Sequence, residues 1–173
     1  MKIREVTIND LAAVTNLEAI CFPAAEAAPM ESFKWRIETY PTHFFVMENE
    51  RGEIISFING PVTKEADLVD EMFAEPSYSN EQGDWQMIFG LATHPDYQRK
   101  GYAGQLMRAL IEQARSEGRK GVVLTCKEHK IKYYSTFGFK DEGLSIKAKK
   151  DNHIDQLVDY LDECTDVAIS NNE

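Results

Sequence analysis

Cysteine is scarce. Cys21, Cys126 and Cys164 are odd in number and lack metal-ligand spacing, which argues against a disulfide framework or a structural zinc site. Reduced thiols are expected, at least two of them as buried packing residues, and no metal is expected. Long apolar runs are also missing: none approaches the roughly 20 residues that span a bilayer. The opening Met1-Lys2-Ile3-Arg4-Glu5 lacks the apolar core of a signal peptide, so no membrane association and a cytoplasmic protein are expected. Basic charge is short too. Nineteen Lys and Arg against 29 Asp and Glu leave a net charge of −10, which disfavours nucleic acid as a partner because phosphate binding needs a basic face. An acidic surface favours capture of a cationic amine, although solubility alone explains the same charge. Internal repeats, low-complexity tracts and linkers are absent. With 43% hydrophobic and 28% charged residues, the composition is that of one globular domain spanning residues 1–173, as a monomer or homodimer.

The densest stretch runs from Gln86 to Gly104, QMIFGLATHPDYQRKGYAG. Met87-Ile88-Phe89 suits a buried strand, His94-Pro95-Asp96 turns the chain, and Ala103, Leu106, Met107, Leu110, Ile111 and Ala114 recur at helical spacing until Gly118 stops the helix. A strand that ends in a Gly-containing turn against a helix start aims backbone N–H groups and a positive dipole end at one point, suited to a phosphate or pyrophosphate. Gly101 and Ala103 are small, as a ligand lying against the backbone requires. The pattern is neither G-x-G-x-x-G nor the P-loop, which ends in Gly-Lys-Ser/Thr. Arg99 and Lys100 sit where a helix dipole disfavours cations, so an anionic ligand accounts for them, although a solvated basic turn is the ordinary alternative.

The remaining elements fall in order along the chain. Residues 2–6 read as a strand, and Thr7-x-x-Asp10 caps a helix with Leu11, Val14, Leu17 and Cys21 on one face, ended by Phe22-Pro23. An Ala-rich loop, 24–28, precedes a helix begun by Pro29 that holds Met30, Phe33, Ile37 and Tyr40 and is closed by Pro41. Segments 43–48 and 54–59 form a hairpin across Asn49-Glu50-Arg51-Gly52. A short helix is expected within 65–73 and a loop over 74–84. Gly121–Cys126 is a buried strand, Lys130–Phe137 a brief helix, and Gly138-Phe139-Lys140 leads into another strand. Ile154, Leu157, Val158 and Leu161 have helical spacing where the sheet wants a strand, so both remain open; the last residues are expected to fray.

Gln98-Arg99-Lys100-Gly101-Tyr102-Ala103 matches Q/R-x-x-G-x-G/A, and Tyr133-Tyr134-Ser135-Thr136-Phe137-Gly138-Phe139 matches Y-x-x-x-G-F. Together they resemble the GNAT N-acetyltransferase superfamily. LATH at 91–94, LTCKE at 124–128, YYSTFGF at 133–139 and Ala-Ile-Cys-Phe-Pro at 19–23 are similar to arylalkylamine (serotonin-type) N-acetyltransferases and their bacterial relatives. The resemblance implies an α/β (α+β) GNAT fold, with one central, mostly antiparallel mixed sheet of about six or seven strands and helices on both faces. It implies acetyl-CoA as acetyl donor, held by Leu91, Ala92, Thr93, Gln98, Arg99, Lys100, Gly101, Tyr102, Ala103 and Gly104. Backbone groups of Leu91 and Thr93 would pair with the pantetheine arm like an added strand, and one N–H would polarise the thioester carbonyl. Tyr134 would protonate the departing thiolate. The His-x-His proton relay of vertebrate members is replaced by Met87 and Phe89, leaving Asp84, Glu128, a water chain, His94 or His129 as candidate bases. Phe22, Met30, Phe33, Met87 and Phe89 would line an apolar acceptor site, although Trp85, Met87 and Phe89 also suit plain core packing. The implied activity is acetyl transfer to a small arylalkylamine-like primary amine. Acetylation of a protein N-terminus or Lys, and a non-catalytic acetyl-CoA-binding regulatory module, remain open.

Overall fold

A computed structural model describes residues 1–144 and 154–161. These residues cluster into two compact units. The first takes Met1–Gly60 and Phe89–Leu110; the second takes 61–88 and the described residues from Ile111 onward.

In the first unit β1 (Lys2–Glu5), β2 (Phe44–Glu48), β3 (Ile54–Asn59) and β6 (Gly90–Thr93) form a four-stranded antiparallel sheet in the order β1-β2-β3-β6. The β2–β3 hairpin turns through Gly52, whose φ of 76° lies in the left-handed region that glycine enters without a Cβ clash. Asn49 Oδ1 fixes this turn by accepting the N–H groups of Arg51 and Glu53 at 3.0 Å each. Helices α1 (Leu11–Cys21) and α2 (Met30–Thr39) supply Val14, Leu17, Phe33 and Ile37 to a core shared with Phe44, Val46, Phe57 and Tyr40. Phe33 meets Phe57 edge-on, with ring centroids 5.6 Å apart, an arrangement that favours aromatic pairs beyond their buried area. The expected cap before α1 is present: Asp10 Oδ2 accepts the Thr7 N–H at 2.8 Å. The same carboxylate receives two bonds from Arg4, at 2.8 and 2.9 Å, and Arg4 also reaches Glu48 at 3.0 Å, which ties β1 to both the helix start and β2.

In the second unit β4 (Val62–Thr63), β5 (Trp85–Met87), β7 (Gly121–Lys127), β9 (Ile154–Tyr160) and β8 (Lys140–Leu144) form a five-stranded sheet in the order β4-β5-β7-β9-β8. β5 and β7 run parallel and the other neighbours antiparallel. α4 (Ile131–Ser135) follows β7 through a 3-10 turn at Glu128–Lys130. The longest helix, α3 (Tyr102–Ser116), gives its residues through Leu110 to the first unit and the rest to the second. Leu106, Met107, Leu110, Ile111 and Ala114 are buried on it, as their spacing predicts.

The α/β fold class stands, with three differences in detail. The single expected sheet is two hydrogen-bonded sheets. The long strand begun by Met87-Ile88-Phe89 is broken between β5 and β6: Ile88 N–H donates to Val123 and Phe89 N–H to Asn59, each at 2.8 Å, so adjacent amides enter different sheets. Within 65–73 only Asp70–Phe73 coils, as a 3-10 turn. There Leu68 N–H is held by Gln156 Oε1 at 3.1 Å, and Val69 is extended, so the backbone cannot begin a helix earlier. Residues 154–160 are a strand despite the helical spacing. β9 lies between β7 and β8 and buries Leu157, Val158 and Asp159 in succession, which hides the alternation of a one-sided strand. The expected fraying concerns residues outside those described. Among the described residues no helix is long and apolar enough to cross a membrane.

Candidate active site

β6 is the terminal strand of its sheet among the described residues. Its register pairs Thr93 with Ser56 and Leu91 with Ile58, while His94 N–H donates to Ile55 at 2.8 Å. In an antiparallel ladder, residues that exchange backbone bonds alternate with residues that do not. Residues 94 and 92 therefore face β3, and the backbone groups of Leu91 and Thr93 face the open edge. The Thr93 carbonyl on that edge accepts Gln98 Nε2 at 3.0 Å and the Cys21 thiol at 3.3 Å. Ala92 is buried against the core, and its carbonyl accepts the Ser56 hydroxyl at 2.7 Å.

A 3-10 turn at Pro95–Tyr97, capped by His94 Nδ1 accepting Asp96 N–H at 3.1 Å, leads from this edge to α3. Two residues of the connecting turn have positive φ: Arg99 at 61° and Gly101 at 84°. For Arg99 the left-handed region costs about 1–2 kcal/mol. Such strain persists only where surrounding structure or function demands it. The first bond of α3 runs from Gln105 N–H to the Gly101 carbonyl at 3.1 Å. The N–H groups of Tyr102, Ala103 and Gly104 thus have no intrahelical acceptor and lie at the positive end of a 15-residue helix. Gln98, Arg99 and Lys100 are exposed, and a Cβ on Gly101 would meet nothing within 4 Å. Free amides, a positive dipole end and basic side chains are the features that suit an anionic ligand.

Tyr134 lies on α4 in the second unit, its ring edge-on to Tyr133 at 5.1 Å and Phe139 at 6.2 Å. Burial, reinforced by the neighbouring Cys126, pushes its phenol up to about 12, so it stays protonated throughout the neutral range. The Cys126 thiol is likewise pushed up to about 11, chiefly by burial and then by Asp155 and Asp141. It is a packing residue, as expected; Cys21 is half-buried, and Cys164 lies outside the described residues.

The expected acceptor residues differ in exposure. Phe33 and Met87 have no exposed surface and pack as core. Met87, in β5, belongs to the second unit, whereas Phe89 belongs to the first. Met30 is 48% exposed and Phe22 and Phe89 are half-buried. Of the candidate bases, Asp84 is exposed and 3.4 Å from Lys120, and Glu128 and His129 are exposed.

One ionisable group escaped the sequence reading. Glu18, in α1, is 7% exposed, and its Oε2 accepts Ala28 N–H at 2.8 Å. Desolvation raises its carboxyl above the ordinary range, against the lowering effects of the Ala28 bond and the Arg36 guanidinium. The signal was present: Leu11, Val14, Glu18 and Cys21 follow the i, i+3, i+7 rhythm of a core-facing stripe, with a charge at one of its positions.

An open strand edge beside an amide-rich helix start suits a ligand with a phosphate end and an extended, amide-bearing arm. The chain belongs to the Acetyltransferase (GNAT) family, whose profile matches residues 11–139. It is therefore an acyltransferase that uses acetyl-CoA as donor. Similar solved structures include the GphF GNAT-like decarboxylase in complex with isobutyryl-CoA, at TM-score 0.80 and 19% identity, covering 93% of this chain and 100% of that one. The ribosomal-protein-S18-alanine N-acetyltransferase from Escherichia coli aligns at TM-score 0.64 and 20% identity, over 91% of this chain and 90% of that one. A GNAT family acetyltransferase from Brucella melitensis in complex with acetyl-CoA aligns at TM-score 0.55 and 20% identity, covering 80% of this chain and 82% of that one. No curated protein matches the chain in sequence.

Proposed function

We propose that this acetyltransferase moves the acetyl group of acetyl-CoA directly onto a small arylalkylamine-like primary amine in a ternary complex. The observation that carries the donor half is the turn from Gln98 to Gly104, with positive φ at Arg99 and Gly101 and three N–H groups without intrahelical acceptors. In this reading those amides hold the pyrophosphate, with Gln98, Arg99 and Lys100 adding side-chain contacts. Leu91 and Thr93 pair with the pantetheine arm as an added strand, and an N–H of that edge polarises the thioester carbonyl.

The free amine attacks the acetyl carbon, the carbon–sulfur bond breaks, and the coenzyme leaves as a thiolate. Tyr134 is the proposed donor to that sulfur. Burial raises its phenol above the ordinary value, so it holds its proton more tightly than a free phenol does. The hydroxyl then acts mainly as a hydrogen-bond donor that stabilises charge as it develops. Phe22, Met30 and Phe89 supply accessible or half-buried apolar surface for the acceptor, whereas Phe33 and Met87 are fully buried core residues. The acidic charge favours a cationic substrate. A peptide N-terminus or Lys is the alternative acceptor within the same chemistry.

Coenzyme release with phenethylamine and tryptamine, polyamines and short peptides tests the reading. Turnover of the two arylalkylamines above the others is the expected result. No rate with either, beside good turnover of a peptide N-terminus, would transfer the function to protein acetylation.

A further inference from the structure

A protonated alkylamine is not a nucleophile, so the proposed reaction needs a group to take its proton. Glu18 is a buried carboxylate whose Oε1 has no hydrogen-bond partner among the described residues, while Oε2 is occupied by Ala28 N–H at 2.8 Å. Leaving a buried polar atom unsatisfied is costly. Holding the 24–28 loop requires only Oε2, so it leaves the second oxygen unexplained. The charged or titratable groups that act on Glu18 are Arg36 from α2 and Cys21, one turn later on α1. Cys21 donates its thiol to the Thr93 carbonyl at 3.3 Å, which ties this part of α1 to the open edge of β6. Glu18 stands three residues, about one helical turn, before Cys21 on α1, the residue that reaches this edge.

We infer that Glu18 is the proton acceptor for the substrate ammonium, taking the proton at Oε1 through one bridging water. The inference rests on the acetyl transfer proposed above. The ammonium gives one proton to the water, which passes one to Oε1 and leaves a lone pair on nitrogen. That pair forms the nitrogen–carbon bond, the carbon–sulfur bond breaks, and its electrons leave on sulfur. A second nitrogen proton ends on the thiolate, giving amide, free coenzyme and protonated Glu18, which returns its proton to solvent. Burial makes this carboxylate a stronger base than an exposed one, the direction the task requires.

The test compares Glu18→Gln with the parent on two acceptors: phenethylamine, protonated at pH 7, and a hydrazide, already neutral there. Gln keeps an oxygen for the Ala28 N–H and removes the base. The expected result is a kcat loss of about 10²–10⁴ with phenethylamine at pH 7, shrinking as pH approaches the amine's own pKa near 10, and a loss below about fivefold with the hydrazide. Equal losses on both acceptors would mean a structural role, and no loss would remove Glu18 from the reaction; either overturns the inference. Should Glu18→Gln fail to fold, Glu18→Asp, which draws the carboxylate back, is read by the same split between acceptors. A parent inactive with every amine would refute the acetyl-transfer reading itself.

Discussion

Replacing Gly101 with alanine separates backbone strain from ligand exclusion. Gly101 has φ +84°, and Gly52 and Gly118 have +76°; a Cβ at any of the three would meet no atom within 4 Å. Alanine at each position therefore incurs the same kind of penalty, about 1–2 kcal/mol for an L-residue in the left-handed region, without a clash. Only Gly101 stands among the amides assigned to pyrophosphate. A methyl there, or a backbone relaxed to negative φ, removes at least one hydrogen bond to a charged group, worth about 1.5–3 kcal/mol. That corresponds to roughly a 10- to 150-fold weaker acetyl-CoA Kd. Calorimetric titration of acetyl-CoA into the parent, Gly101→Ala and Gly118→Ala, with unfolding midpoints for all three, makes the comparison. The expected pattern is similar destabilisation of both variants with weakened binding confined to Gly101→Ala. Equal acetyl-CoA affinity in the two folded variants would refute the placement of the anion cradle.

Tyr134→Phe should lower kcat about 10- to 150-fold at saturating substrates, the value of one hydrogen bond to developing charge, with acetyl-CoA affinity unchanged. A variant within twofold of the parent, with chemistry shown to limit the rate and Tyr133→Phe as control, would exclude Tyr134 from the reaction. Asp10→Asn should destabilise the fold by about 1.5–3 kcal/mol in urea unfolding, because Arg4 and the Thr7 N–H both lose a charged acceptor. Arg4 holds the Asp10 carboxyl below its ordinary 3.8, so its contribution is present above that pH and lost as pH falls through the lower folded value. The difference between parent and Asp10→Asn should narrow below about pH 4; a constant difference would contradict the ion-pair account.

The parts legible in the sequence were those governed by local rules. The apolar rhythm of α3, the Gly52 hairpin and the Thr7–Asp10 cap each follow from a few neighbouring residues. Tertiary terms set the rest. Nothing local says that Ile88 and Phe89 bond to different strands, because the partners, Val123 and Asn59, are 35 and 30 residues away along the chain. β9 resembles a helix stripe since Leu157, Val158 and Asp159, on alternate faces, are all buried, which removes its alternation. The turn at 98–104 was readable from its glycine and helix start, whereas the left-handed Arg99 was not, arginine having no preference for that region. The acceptor surface was read least well, since apolar residues chosen for a pocket serve equally as core, and Phe33 and Met87 do.

The central claim is a direct acetyl transfer from a coenzyme held at this turn to a small amine. The most direct measurement is mass-spectrometric detection of N-acetylphenethylamine, together with free coenzyme, after mixing the purified protein with acetyl-CoA and phenethylamine. Product and free coenzyme should appear in equal amounts, and no acetylated protein should accumulate when the amine is withheld. Free coenzyme without acetylated amine, or a stable acetyl-protein formed before the amine is added, would contradict it.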